Sequence, residues 1–192
     1  ADMHHPQRLR QALSLLKEYH KTPYRKSLAM PSAYETVRKL ITIALVLNPA
    51  ICEKENISRL WQIIATIETS VQNKPCGLCH NDLCATNFIK SNSRLHLIDW
   101  EYGGYGEILF DLASLCVEQE LTPEEMDFVL NTYFEKPLPR LKQDLQLLCA
   151  LYSLRNAFWA YIQAKISSKD FNFSHLAAHQ MQTFWRRLSH DP

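Results

Sequence analysis

The spacing of apolar residues along this 192-residue chain changes twice, and the two changes enclose a short stretch with the pattern of strands. Up to about residue 71, apolar residues recur every three or four positions, as on one face of an α-helix. Between about residues 77 and 98 the apolar runs are short and separated by polar residues. Helical spacing then returns. The chain is therefore predicted to be mainly α with one small β-hairpin, an α+β fold.

Six helices follow from this spacing and from residues typical of helix ends. Asn48-Pro49 ends the second of them, because a residue before proline is disfavoured in the helical conformation. Thr122-Pro123 begins the fourth, with Thr122 as N-cap. The predicted helices run from about Gln7 to His20, Ser32 to Leu47, Ile57 to Val71, Thr122 onward, Leu138 to Ile166 and Ser174 to Leu188.

The intervening segment predicts one strand at Gly77–His80 and a buried hairpin of two more, Phe88–Lys90 and Leu95–Ile98. The polar residues Ser91-Asn92-Ser93 form its turn. Gly103–Gly106 is predicted to be a glycine-rich loop.

Composition excludes several classes of protein. Lys and Arg number 21 against 20 Asp and Glu, a net charge of +1, so a basic nucleic-acid-binding surface is not expected. The sequence contains no apolar run of the roughly 18 residues that a transmembrane helix needs, and the N-terminus has no signal-peptide pattern. The six cysteines are spread through a chain of ordinary size, several of them in apolar runs. We therefore expect a reducing cytoplasm.

Three polar residues flank the hairpin. Asp82 and Asn87 precede its first strand and Asp99 follows its second. Pairing of the strands brings Asn87 and Asp99 to the same open end, with Asp82 on the adjoining loop. Carboxylate and amide oxygens are the ligands that Mg²⁺ prefers, and a carboxylate that does not bind the metal can accept a proton from an attacking hydroxyl. These are the groups that phosphoryl transfer requires.

The spacing H-N-D-L-x-x-x-N from His80 to Asn87, followed by L-I-D-W-E from Leu97, resembles two motifs of the protein-kinase-like fold. The variant is similar to that of the aminoglycoside phosphotransferase and choline kinase superfamily. The resemblance implies that Asp82 is the catalytic base and that Asn87 and Asp99 hold Mg²⁺. It also implies ATP as co-substrate.

The C-terminal half resembles choline and ethanolamine kinases more specifically. W-A-Y-I-Q-A-K-I-S-S from Trp159, followed by Phe171, is close to a block of that family, and I-D-W-E-Y with Phe110-Asp111 matches another. The resemblance implies that four residues line a pocket for a cationic head group, which aromatic faces and a carboxylate would attract. They are Tyr102, Glu118, Trp159 and Phe171. His80 and Asp111 are expected to support the catalytic loop.

Two departures from the family pattern leave the acceptor open. Asn156 and Leu176 stand where family members carry a tryptophan and a tyrosine. Fewer aromatic side chains would therefore line the pocket for the cationic head group than in the family. Thiamine kinases and aminoglycoside phosphotransferases are the alternatives to a choline or ethanolamine kinase. A kinase-derived module that binds its ligand without catalysis is a third hypothesis.

A second motif overlaps the first. Cys76 to His80 reads C-x-x-C-H, the pattern of c-type haem attachment, and a cysteine pair can also contribute to a zinc site. We favour two cysteines on a strand that leads into the catalytic loop. Haem attachment requires export, and it leaves the spacing of Asp82, Asn87 and Asp99 unexplained.

The glycine-rich hairpin and strand lysine that bind nucleotide in kinase-like folds are not found, since all four glycines lie at or after Gly77. We therefore expect residues 1–192 to form the C-terminal, catalytic and acceptor-binding lobe alone. The N-terminal nucleotide lobe would be a missing partner, and the chain by itself would be incomplete as an enzyme.

Overall fold

The computed structural model describes residues 3–71, 75–92, 94–134 and 140–189. The described helices and strands follow one another in this order: α1 (Pro6–His20), α2 (Ala33–Leu47), α3 (Ile51–Lys54), α4 (Ile57–Ser70), β1 (Cys76–Cys79), β2 (Phe88–Ser91), β3 (Arg94–Leu97), β4 (Gly104–Glu107), α5 (Ile108–Glu118), α6 (Pro123–Phe134), α7 (Arg140–Ile166) and α8 (Phe173–Ser189). The predicted mainly α fold with a small β-hairpin is confirmed, and the structure adds a second antiparallel pair of strands.

The helix ends agree with the sequence signals. Ser32 caps α2 in a capping box with Glu35, each side chain bonding the backbone N–H of the other residue. Thr122 and Glu125 make the same pair of contacts at the start of α6. The predicted start of the long helix at Leu138 lies outside the described residues. The short helix α3 was not predicted, because four residues are too few to show a helical period.

The chain divides into two compact units, each built from two stretches of sequence. The first unit contains residues Ala1–Met30 and Asn73–Gln146, and the second contains Pro31–Gln72 and Leu147–Pro192. All four strands belong to the first unit, together with α1, α5 and α6. Helices α2, α3, α4 and α8 belong to the second, and α7 contributes to both.

Two antiparallel pairs of strands form the sheets of the first unit, β1 with β4 and β2 with β3. The prediction of a loop at Gly103–Gly106 is wrong from Gly104 onward, because these residues pair with β1 in the register Cys79↔Gly104 and Gly77↔Gly106. Alternating glycines hid the strand, since they supply no apolar side chains to show its period of two.

The hairpin β2–β3 was predicted to be buried, and this is wrong for one of its faces. Phe88 and Leu97 are opposite each other and buried, whereas Ile89 is 44% exposed and Ile98 is 42% exposed. Successive side chains of a strand point to opposite faces, so a two-stranded ribbon packed on one side leaves the other side open.

Helix α1 packs its C-terminal end directly on β1. A Cβ atom at Gly77 would lie 2.4 Å from the carbonyl oxygen of His20 and 2.8 Å from its Cα, so only glycine fits there. Leu9, Leu13 and Leu16 are buried on the same helix. This contact fixes where the end of α1 lies relative to the strand that leads to His80.

Helix α5 is the buried centre of the first unit. Every residue from Ile108 to Val117 is buried, including Asp111 and Ser114. A helix that is apolar all round is expected inside a protein, and its few polar side chains then need partners. Those partners are on the loop that follows β1.

In the second unit, the apolar faces of α2 and α4 provide buried residues such as Val37, Ile41 and Ile64. Arg38 of α2 donates to Glu68 of α4 at 2.6 Å. The guanidinium of Arg59 lies 4.7 Å from the ring centre of Trp185, so this tryptophan packs against α4. Among the described residues, no helix has the length and apolar character to cross a membrane.

Candidate active site

The loop between β1 and β2 brings Asp82 and Asn87 together. It closes with a 3₁₀ turn, Ala85–Asn87, that leads directly into β2. The side-chain amide of Asn87 donates to the backbone carbonyl of Asp82 at 2.9 Å and lies 3.4 Å from Asp82 Oδ2. Because the nitrogen of this amide is used inside the loop, its oxygen is the atom that a metal could take.

Asp99 follows the hairpin at the end where Asn87 lies. The backbone N–H of Ile98 donates to the carbonyl of Asn87 at 3.0 Å, which extends the pairing of β2 and β3 by one residue. Asp99 comes next, is exposed, and has a left-handed φ of 63°. This conformation costs roughly 1 kcal/mol or more for a residue with a side chain and turns the backbone sharply.

His80 ties the loop to the segment before Asp99. Its Nε2 lies 2.8 Å from the carbonyl oxygen of Ile98, and since that oxygen can only accept, Nε2 carries the proton. The His80 ring meets Trp100 edge to face with 4.8 Å between ring centres, and Trp100 donates to the Leu97 carbonyl. The supporting role predicted for His80 is compatible with these contacts.

The side chain of Asp111 holds the start of the loop by accepting hydrogen bonds from the backbone of the loop. Its carboxylate accepts from the N–H of His80 at 3.1 Å and from the N–H of Asn81 at 2.7 Å. One turn further along α5, Ser114 accepts from the N–H of Leu83, and Gln119 donates to the Leu83 carbonyl. The loop is therefore bonded to α5 on both sides of Asp82.

Asn81 is the strained residue of the loop. Its φ is 62°, in the left-handed region, and its side chain donates to the carbonyl of Tyr102 at 3.0 Å. Together with the bond from its N–H to Asp111, this holds Asn81 at both its backbone and its side chain. Because Asn81 precedes Asp82, its conformation sets the direction in which the Asp82 carboxylate leaves the backbone.

Sequence reasoning missed His20, which also contacts the carboxylate of Asp111. Its Nε2 lies 2.9 Å from Asp111 Oδ2, and its Nδ1 lies 2.7 Å from the hydroxyl of Tyr133. A signal was present, since His20 continues the buried series Leu9, Leu13 and Leu16 at helical spacing. A polar residue on the apolar face of a helix needs a buried partner.

Burial shapes the acid–base properties of this cluster. The pKa of the Cys79 thiol is raised well above its usual value by burial and by the charge of Asp111. Burial also raises the pKa of the Tyr133 hydroxyl, with contributions from Cys79 and Asp111. Both groups therefore keep their protons at neutral pH.

The cysteines and the histidine of the C-x-x-C-H motif are not arranged to bind a haem together. Cys76 is exposed, whereas Cys79 is buried and its thiol donates to the carbonyl of Gly106 at 3.4 Å. The protonated ring nitrogen of His80 is engaged by Ile98. A c-type haem requires both thiols and the imidazole on one open side, so the strand interpretation fits better.

The residues predicted to bind the acceptor fall in both units. In the first, Tyr102 and Glu118 are half-buried, and the Tyr102 carbonyl holds Asn81. In the second, Trp159 meets Phe173 edge to face at 5.9 Å between ring centres, and Phe171 meets the same ring at 4.8 Å. Phe171 is 58% exposed. The roles of these residues stay predictions.

Phe173 was missed by the sequence analysis. It is buried at the start of α8 and lies between the two predicted aromatics, which makes a cluster of three rings. Asn156, at the departure from the family pattern, accepts from Arg155 at 3.1 Å. The signal was the F-x-F spacing, which places both phenylalanines on the stretch that enters α8.

The predicted metal ligands, Asn87 and Asp99, are a set of amide and carboxylate oxygens of the kind that Mg²⁺ prefers. A hard cation takes carboxylate and amide oxygens and retains water, and Asp99 is exposed enough to leave room for that water. Asp82 adjoins this set through its contact with Asn87. Phosphoryl transfer requires a base beside a bound cation, and the roles of these three residues stay predictions.

Comparison with known proteins supports the same classification. The choline/ethanolamine kinase family model matches residues 1–132. Protein LicA of Haemophilus influenzae is 41% identical over 69 residues, which cover 36% of this chain and 26% of LicA. A thiamine kinase of Salmonella paratyphi B is 31% identical over 72 residues, 36% of this chain and 26% of that protein.

Solved structures share the fold. A choline/ethanolamine kinase family protein from Mesorhizobium loti has a TM-score of 0.79 at 19% identity, over 97% of this chain and 64% of the other. Choline kinase LicA from Streptococcus pneumoniae has a TM-score of 0.77 at 20% identity, over 96% and 64%. An aminoglycoside phosphotransferase in complex with gentamicin has a TM-score of 0.59 at 20% identity, over 92% and 60%.

The chain spans about a quarter of the length of the curated relatives named above and less than two thirds of the solved chains. The family model nevertheless covers more than half of this chain, and it includes the loop from His80 to Asn87, Asp99 and Asp111. The chain therefore belongs to the choline/ethanolamine kinase family.

Proposed function

We propose that this chain supplies the catalytic loop and the acceptor-binding residues of an ATP-dependent kinase that phosphorylates the hydroxyl of a small cationic alcohol. The observation that carries the proposal is the contact between Asp82 and Asn87 on a loop bonded to α5, beside Asp99. Family membership supports the reaction class.

The chemistry assigns each of the three residues a role. The carboxylate of Asp82 accepts the proton of the acceptor hydroxyl as the oxygen bonds to the γ-phosphorus of ATP. The bond from that phosphorus to the bridging oxygen breaks, and ADP leaves with the electron pair. Asn87 and Asp99 would hold Mg²⁺, which when bound neutralises phosphate charge.

The support for a cationic acceptor is the cluster of Trp159, Phe171 and Phe173 in the second unit. Aromatic faces attract a quaternary or primary ammonium group by their quadrupole, most strongly for tryptophan. Phe171 is exposed and is thus available to a ligand. Choline or ethanolamine fits this chemistry.

Thiamine is the second candidate acceptor. It carries both a cationic ring and a primary alcohol, and a thiamine kinase is among the relatives. The aromatic cluster alone does not separate it from choline, since both present a permanent positive charge. An aminoglycoside carries several ammonium groups and would be expected to require several carboxylates rather than aromatic faces.

An ATP-consumption screen tests the proposal. The protein is expressed from its complete gene and offered choline, ethanolamine, thiamine and one aminoglycoside, each with and without Mg²⁺. We expect Mg²⁺-dependent ADP release with one of the first three. If ADP release stays at background with every acceptor while choline or thiamine still binds in calorimetry, the protein is a non-catalytic binding module.

A further inference from the structure

Helix α1 contributes a side chain to the network that holds the catalytic loop. His20, its last residue, is 5% exposed, and its Nε2 contacts the same Asp111 carboxylate oxygen that accepts from the N–H of His80. The other oxygen of Asp111 accepts from Asn81. The carboxylate thus joins α1 to the two residues that precede Asp82.

We infer that His20, held by Tyr133, is a positioning residue for Asp82. It acts by fixing the orientation of the Asp111 carboxylate. The inference deepens the proposed function and rests on it for its effect on turnover. Its structural part, the ordering of the loop by His20, stands on the described hydrogen bonds alone.

The direction of the bond to Asp111 is set by chemistry. The Asp111 carboxylate already accepts from two backbone N–H groups, so Nε2 of His20 is the donor of this bond. Its Nδ1 lies 2.7 Å from the hydroxyl of Tyr133, so the second nitrogen of the ring is hydrogen-bonded as well. The two rings are also in contact, with 5.7 Å between their centres. Tyr133 therefore holds the second ring nitrogen and fixes the tilt of the imidazole.

Because Asp111 is buried, the loss of one of its hydrogen-bond partners would disturb the loop. Asp111 is 0% exposed, so water cannot replace a lost partner, and the carboxylate would turn to find another donor. Its two oxygens hold the backbone of His80 and Asn81, and Asn81 is in the left-handed conformation. If the Asp111 carboxylate turned, it would no longer hold the backbone of Asn81, and Asn81 sets the direction of the Asp82 side chain.

The close packing of α1 on β1 is independent evidence that the position of His20 is fixed by the fold. Gly77 lies against the backbone of His20, where a Cβ atom would approach its carbonyl oxygen to 2.4 Å. Glycine weakens a strand, so its presence in β1 is explained by this close approach. The close approach also keeps His20 within reach of Asp111.

A metal site is the competing interpretation of the same atoms. Ligand atoms of His20, Cys79 and Asp111 lie within 4.8 Å of one another. However, Nε2 and Oδ2 are already 2.9 Å apart in a direct hydrogen bond, and the Cys79 thiol donates to Gly106. The network is complete without an ion.

Three variants separate positioning from general stability. His20→Leu removes the donor and keeps a side chain of similar bulk, His20→Gln keeps an N–H that can reach Asp111, and Tyr133→Phe removes only the hydroxyl. Tyr161→Phe is the matched control, because the Tyr161 hydroxyl is also half-buried and bonds a carboxylate, that of Glu55. All are made in the protein expressed from its complete gene.

The first measurement is amide hydrogen exchange at His80 and Asn81 by NMR. We expect His20→Leu to lower the protection of these two amides by about tenfold, the scale of one hydrogen bond. Tyr133→Phe should lower it less, His20→Gln should restore much of it, and Tyr161→Phe should leave it unchanged. Unchanged protection in both His20→Leu and Tyr133→Phe overturns the inference.

The second measurement is steady-state kinetics. We expect kcat to fall about tenfold in His20→Leu and to recover in His20→Gln, with the KM for ATP unchanged, because the loss acts on the base. Equal losses in the leucine and glutamine variants would overturn the inference. If the leucine variant does not fold, Tyr133→Phe and His20→Gln still decide it. If the unsubstituted protein has no kinase activity, the proposed function fails, and hydrogen exchange still tests the ordering of the loop.

Discussion

The side-chain amide of Asn87 lies 2.9 Å from the backbone carbonyl of Asp82, so the metal ligand and the base of the proposed reaction are joined by a direct hydrogen bond. The contact closes a loop of six residues. Its consequence is that the predicted roles can be separated only by substitutions that leave this loop intact.

Replacement of Asp82 tests the base. We expect Asp82→Asn to lower kcat by roughly 10²–10⁴-fold, the usual contribution of a general base, while acceptor binding in calorimetry changes little. Asparagine keeps the shape of the residue and loses only its charge. Asp127→Asn is the control, because Asp127 pairs with Lys142 away from the loop. Turnover close to that of the control would contradict the assignment of Asp82.

Replacement of Asp99 tests the metal ligands. We expect Asp99→Asn to raise the Mg²⁺ concentration needed for half-maximal activity by about tenfold or more, because a neutral amide binds a hard cation less well than a carboxylate. A Mg²⁺ titration of initial rates measures it, again beside Asp127→Asn. The prediction is wrong if both variants show the same Mg²⁺ dependence as the unsubstituted protein.

The two glycines that face each other in β1 and β4 should differ in their tolerance of a methyl group. Gly77→Ala places a Cβ 2.4 Å from the His20 carbonyl, whereas Gly106 has nothing within 4 Å of the corresponding position. We expect Gly77→Ala to lower the free energy of unfolding by about 1–3 kcal/mol, as overpacking does.

Gly106→Ala is the matched control for this test, since both residues are strand glycines at the same rung of one ladder. Urea denaturation of the two variants gives the comparison. Equal stabilities would mean that α1 yields without cost, and the explanation given for Gly77 would then fail.

The sequence predicted most helices and the position of the loop that follows β1, because these depend on local patterns. Helix periodicity and caps such as Ser32 need only neighbouring residues, and the spacing from His80 to Asn87 carries its own signal. The strand at Gly104 was missed, since its partner β1 is about 27 residues away and its glycines show no alternation. His20 was missed for the same reason: its partners, Asp111 and Tyr133, are brought to it only by the fold.

Two cysteines of the same strand should react differently with alkylating agents. Only the thiolate is nucleophilic, and burial with the charge of Asp111 raises the pKa of Cys79, so this thiol stays protonated at pH 8. Cys76, three residues earlier, is exposed. We expect iodoacetamide to modify Cys76 and to spare Cys79 in the native protein, as read by peptide mass spectrometry. Modification of both at equal rates, with the protein still folded, would contradict the described burial of Cys79.

The aromatic cluster gives the last prediction. We expect Trp159→Leu to raise the KM for choline or thiamine by about tenfold, because loss of one cation–π contact to a desolvated cation costs roughly 1–2 kcal/mol. The KM for ATP should not change. Trp61→Leu is the control, since Trp61 is another half-buried tryptophan of the same unit, on α4. A similar rise of the acceptor KM in both variants would indicate a general loss of packing. An unchanged acceptor KM in Trp159→Leu would remove this tryptophan from the proposed acceptor site.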